Sequence, residues 1–79
     1  MPKNIIKRTV VISGHETSVS LEPEFWEVLG EIAGAKNISV AAFIRQVDEY
    51  RAQSERDNLS SAIRIFILKY LQEQIKKIS

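Results

Sequence analysis

The stretch Gly14–Ala33, GHETSVSLEPEFWEVLGEIA, runs from a turn signal through an alternating segment into an apolar-striped helix. Thr17-Ser18-Val19-Ser20-Leu21 alternates polar and apolar residues, the period of a strand with one face buried. Backbone donors and acceptors of a lone strand have no ladder to join, so this segment requires a strand partner. Upstream, Ile5 to Ile12 is rich in β-branched residues and ends at Ser13-Gly14-His15, where glycine suits a tight turn. A hairpin with Gly14-His15 as its loop residues sets Ile12 against Thr17, Val11 against Ser18 and Val10 against Val19. Its apolar face then holds Val10, Ile12, Thr17, Val19 and Leu21. The opposite face holds Lys7, Thr9, Val11, Ser18 and Ser20.

Downstream of Leu21 the period changes to that of helices. Pro23 fits a first helical turn, and Glu22, Glu24 and Glu27 suit the positive end of the helix dipole. Phe25, Val28, Leu29 and Ile32 form the expected inward stripe, closed by Gly34 to Asn37. A second helix is expected from a Ser39 N-cap, with Val40, Phe43, Ile44 and Val47 inward, Tyr50 at the margin and an end within Arg51 to Asp57. A third is expected from the capping side chains of Asn58-Leu59-Ser60-Ser61. It carries Leu59, Ile63, Phe66, Ile67, Tyr70, Leu71, Ile75 and Ile78, widened by Ile65 and Leu68. An apolar band this wide is buried on more than one side, and a second subunit is the expected cover. The resulting division is one domain over 1–79: a flanking strand at 5–12, a ribbon strand at 16–21, and helices at 22–35, 39–55 and 59–78.

The bulk composition narrows the function classes. A chain of 79 residues, 44% apolar and without cysteine, has no disulfide or thiolate metal site to support a small core. Its one histidine has no companion ligands, so no metal and no cofactor are expected, and His15 reads as a hydrogen-bonding turn residue. Oligomerisation is the remaining support. Met1-Pro2-Lys3-Asn4 precedes no long apolar run, so neither a secretory leader nor a membrane partner is expected, and the expected location is cytoplasmic. The net charge of +1 divides into a basic start, an acidic middle over residues 21–55 and a basic tail, which can present a cationic face despite the bland total. No Ser-His-acid grouping, carboxylate pair or phosphate-cradling glycine loop is present, and Ser60-Ser61 read as helix caps, so no catalytic residues and no enzyme activity are expected. Trp26 reads as a cover at the core edge. Asp48 with Arg45 or Arg51 reads as a helix-surface ion pair or a bridge to Arg64 or Asn58, and Lys76 and Lys77 as cations opposing a helix dipole.

A strand followed by two short-linked helices, in TSVSL, EPEFWEVLGEIAGAKN and ISVAAFIRQVDEY, resembles the Arc- and MetJ-like ribbon-helix-helix family of DNA-binding proteins. GHETSVSLEPEFW followed by NLSSAIRIFIL is similar to a bacterial subgroup with a hairpin before the ribbon and a third helix. The resemblance implies a mainly α fold with a short β-ribbon, built as an intertwined homodimer. The strand Thr17–Leu21 would pair with its own copy, flanked by Lys7–Ile12, over a dimer core of Val19, Leu21, Phe25, Leu29, Phe43, Ile44 and Val47. It also implies a transcriptional regulator that places the ribbon in the major groove of double-stranded DNA. Lys7, Thr9, Ser18 and Ser20 would face bases, and Ser39 and Val40 would meet phosphate at a helix N-terminus, with Lys3 and Arg8 nearby. Serine hydroxyls discriminate bases less than a bidentate Arg or Asn does, and Glu16 stands beside them. The alternative reading is therefore a protein-interaction module or antitoxin-like adaptor that keeps the fold and docks through the third helix, which also offers a route to higher-order assembly.

Overall fold

The structure is a computed structural model that describes residues 4–54 and 58–78, with side chains described except at 51–54. Lys3, the Arg51 side chain and Glu55 to Asp57 lie outside the described residues. A two-stranded antiparallel ribbon, β1 (Ile6–Ile12) and β2 (His15–Leu21), precedes α1 (Pro23–Ala35), α2 (Val40–Ser54) and α3 (Leu59–Ile78).

The hairpin register differs from the expected one. Ile12 pairs with His15, Val10 with Thr17, Thr9 with Ser18 and Lys7 with Ser20. The loop residues are Ser13 and Gly14, with φ of 51° and 82°. Positive φ at both loop positions matches the twist of a two-residue hairpin, so Ser13 takes the place expected for His15, and His15 is an exposed residue of β2. The slip moves each residue of β1 by two positions along β2. Side chains alternate with period two, so both faces keep their expected membership.

The helix ends have identifiable causes. At the end of α1 the Asn37 N–H donates to the Gly34 carbonyl and the Ile38 N–H to the Ala33 carbonyl, each at 3.0 Å. With Asn37 at φ 64°, this is a Schellman closure that satisfies carbonyls the helix leaves open. The Ser39 hydroxyl accepts from the Ala42 N–H at 3.0 Å and starts α2. At α3 the cap is Asn58, whose Oδ1 accepts from the Ser61 N–H at 2.8 Å, rather than either serine.

The α1 stripe lies one residue round from the expected position: Trp26, Leu29, Ile32 and Ala33 are buried, while Phe25 and Val28 are half-buried. They join Ile12, Val19, Leu21, Phe43, Ile44, Val47, Leu59, Ile63 and Ile67 in one core. Among the described residues no polar or charged side chain is buried. Phe66 closes one side, edge-to-face on Phe43 at 5.5 Å and on Tyr50 at 6.2 Å.

This core corrects the expectation that one chain encloses too little apolar surface. Val19, Leu21, Leu29 and Ile44 are 0% exposed, and Phe43 and Val47 1%, within a single chain. The first half of α3 supplies the cover through Leu59, Ile63 and Ile67. On the other side of this half Ile65 is exposed, and further along the helix so are Leu68, Leu71, Ile75 and Ile78. Ile63 is 0% exposed where α3 meets the core. Its truncation, Ile63→Ala, is expected to lower the unfolding free energy by about 2–5 kcal/mol through lost transfer and a residual cavity. Urea titration followed by circular dichroism measures it, and α1 and α2 should melt in the same transition.

Candidate nucleic-acid interface

The ribbon has two unlike faces. Toward the core it turns Ile6, Arg8, Val10, Ile12, Thr17, Val19 and Leu21. Toward solvent it turns Lys7 opposite Ser20, Thr9 opposite Ser18 and Val11 opposite Glu16. Lys7, Thr9 and Ser18 are exposed and Ser20 is half-buried, so two directly opposed pairs make one compact polar patch. Glu16 joins it at the turn end, and no residue of it is a bidentate base reader.

Arg8 does not join this patch. It pairs across the ribbon with Val19, on the core-facing side, and its guanidinium lies 4.9 Å from the Trp26 ring centroid. A cation over an indole is worth about 0.5–1 kcal/mol at an exposed site, so Arg8 serves to hold the hairpin on α1. Trp26 completes that clamp by donating from Nε1 to the Ile6 carbonyl at 2.9 Å. The indole is 9% exposed, a cover at the core edge rather than a stacking platform.

Ser39 is exposed and Val40 half-buried. The Ser39 hydroxyl is occupied as the cap of Ala42, so the positive potential at this helix end comes from the N–H groups of Val40 and Ala41, which begin α2 with no acceptor inside the helix.

One cluster has no counterpart in the sequence reading. The Ser60 hydroxyl accepts from the Ser20 N–H at 3.0 Å. Arg64 donates from Nη2 to the Ser20 carbonyl at 3.3 Å and from Nε to Glu22 Oε1 at 3.1 Å. Its guanidinium also lies 5.8 Å from the Phe25 ring centroid. Arg64 therefore bridges to Glu22 rather than to Asp48, and Ser60 holds a strand edge rather than capping its helix. The partners are 40 to 44 residues apart, so no local spacing announces them.

Among the described residues no group of His, Cys, Asp or Glu is arranged to hold a metal ion. No helix there is long and apolar enough to cross a membrane.

A family model for the ribbon-helix-helix domain matches residues 5–71. Among solved structures, an uncharacterized protein from Bordetella pertussis Tohama I superposes with a TM-score of 0.80 at 32% identity, over 95% of this chain. The match covers 62% of that protein, so the chain spans less than two thirds of its length. No curated protein gives a match. Ribbon-helix-helix domains are in general non-enzymatic, DNA-binding transcription regulators that typically dimerise. With the two-stranded ribbon, its following helices and the match over most of its length, this chain belongs to the ribbon-helix-helix family.

Proposed function

We propose that the protein is a dimeric, sequence-specific DNA-binding transcriptional regulator of the bacterial cytoplasm that seats paired β2 strands in the major groove. The observation that carries this reading is the patch in which Lys7 opposes Ser20 and Thr9 opposes Ser18 on the solvent face of the ribbon.

Dimensions assign the roles within the patch. Strands lie about 4.8 Å apart, so a sheet ordered β1-β2-β2-β1 across two chains spans about 14 Å between its outer backbones. The major groove is about 12 Å wide and admits a two-stranded ribbon. The central β2 pair therefore takes the groove floor, bringing Ser18 and Ser20 to base edges. The flanking β1 strands ride the groove walls, where Lys7 meets phosphate and Thr9 stands between. Hydroxyls donate or accept with any base, so sequence preference in this reading is modest and affinity leans on phosphate contacts. The α2 N-terminus adds its backbone N–H groups from Val40 and Ala41 to a phosphate, and Ser39 holds that helix end in place.

A second reading, an interaction module, rests on the apolar stripe of α3. At 3.6 residues per turn, Leu68, Leu71, Ile75 and Ile78 share one face at the three- and four-residue spacing of a coiled-coil seam. Gln72 and Gln74 flank it, whereas Lys69, Glu73, Lys76 and Lys77 stand off it. A seam with uncharged borders meets a second copy of itself without like-charge repulsion, so its occupant is another α3 and its consequence is association of dimers. The paired substitution Leu68→Ser with Ile75→Ser is expected to reduce the largest species in sedimentation velocity while leaving affinity for a short duplex within about twofold, since the seam lies outside the proposed groove contacts.

Fluorescence anisotropy on duplex DNA tests the groove assignment, starting at about 50 mM salt, where phosphate contacts are strong. Lys7→Ala is expected to weaken binding to all sequences alike and to flatten the log-affinity against log-salt slope by about 0.9 per chain, or about 1.8 per dimer. Ser18→Ala is expected to change sequence preference with the slope intact. A duplex-independent signal, or an unchanged slope for Lys7→Ala, rules the assignment out.

Ser39→Ala is expected to cost about 0.5–2 kcal/mol of folding stability by removing the α2 cap. Thermal unfolding without DNA measures that cost, and a loss of DNA affinity at a temperature where both forms are folded measures the phosphate role separately.

A further inference from the structure

In an antiparallel pair, opposed residues alternate between those that exchange backbone hydrogen bonds and those whose N–H and C=O turn outward. The Ser20 N–H and carbonyl both face α3, so the Lys7–Ser20 pair is of the outward kind. Alternation gives the same orientation to Ser18 and Glu16, while Ile12 and His15, flanking the two-residue turn, bond to each other. The free edge of β2 therefore consists of Glu16, Ser18 and Ser20. At Ser20 that edge is closed by the Ser60 hydroxyl and the Arg64 guanidinium. Among the described residues nothing closes it at Glu16 and Ser18.

Resting on the dimeric reading above, we propose that α3 acts as a stop on this edge, so that a second copy of the chain pairs only along Glu16–Ser18, with the two-fold axis at Thr17. The alternatives fail on particular groups. An axis at Ser18 sets Ser20 against Glu16 of the other copy and requires backbone groups already taken by Ser60 and Arg64. An axis at Glu16 opposes two carboxylates, and like charges directly opposite destabilise a strand pair. With the axis at Thr17, Glu16 of each chain bonds to Ser18 of the other, carboxylate faces hydroxyl, and the two β-branched Thr17 side chains meet as a cross-strand pair. Closure at Ser20 also protects an edge that would otherwise accept further strands.

The absence of native cysteine makes disulfide trapping a direct test. Residues on the axis lie about 4.5–5.5 Å apart between Cα atoms. Residues offset from it by one position per chain lie beyond the roughly 7 Å that a disulfide can bridge. Thr17→Cys and Ser18→Cys are made in the full chain, confirmed as folded by circular dichroism, oxidised with diamide and separated on non-reducing gels, alongside light scattering of the unmodified protein. The expected result is a dimer in which Thr17→Cys gives crosslinked chain as the main product and Ser18→Cys gives only a trace. In a Ser60→Ala with Arg64→Ala background, again confirmed as folded, release of the Ser20 N–H and carbonyl is expected to raise the Ser18→Cys product severalfold.

Crosslinking through Ser18→Cys in the native background, alone or beside Thr17→Cys, overturns the stop while leaving the ribbon dimer standing. No rise when Ser60 and Arg64 are both replaced removes α3 from the explanation. A dimer that crosslinks at neither position, or a protein that stays monomeric, overturns the inference together with the ribbon dimer beneath it.

Discussion

The position of α3 over the apolar side of the ribbon and first two helices is the constraint on which the rest depends. Leu59, Ile63 and Ile67 are buried in the same core as Val19, Leu21, Leu29, Phe43, Ile44 and Val47. Burying a large aliphatic side chain is worth about 1.5–3 kcal/mol, so these contacts are comparable to the whole margin by which a small domain is folded. Because one chain closes its own core, association does not have to complete the interior.

The hydrogen bonds of Ser60 and Arg64 tie that packing to the ribbon. An α3 held by Leu59 and Ile63 carries Ser60 and Arg64 to the β2 edge, where they engage Ser20. Glu22 then receives the Arg64 guanidinium at the entrance to α1. Core packing, strand edge and helix start thus share one side chain. A change at Arg64 is accordingly felt both in the anchoring of α3 and at the entrance to α1.

At the other end of the hairpin a different device does similar work. Arg8 and the Ile6 carbonyl both engage Trp26, which fixes β1 against α1 and leaves Lys7 as the cation on the solvent face. Two adjacent basic residues in sequence therefore have separate roles. One holds the fold and the other stands exposed on the opposite face, a division that follows from the two-residue period of the strand.

Much of this was legible along the chain. The alternation in TSVSL, the β-branched run before Gly14 and the helical spacing after Pro23 set the element types and the membership of each ribbon face, because those depend on local periods alone. The register was not legible: Ser13 adopts positive φ, uncommon for a residue with a side chain, and shifts the loop by one position, although a slip of two across the pair preserves the faces. The breadth of the apolar band on α3 was also plain, but its division was not. Which part covers this chain's own core and which remains open depends on how far the helix runs past that core. Likewise no spacing rule could link Ser20 to Ser60 and Arg64, since only packing of α3 against the ribbon brings residues forty apart within hydrogen-bond reach. Local chemistry determined the elements; the tertiary structure decided what each apolar face and backbone edge meets, because burial and edge pairing are properties of surfaces assembled from distant segments.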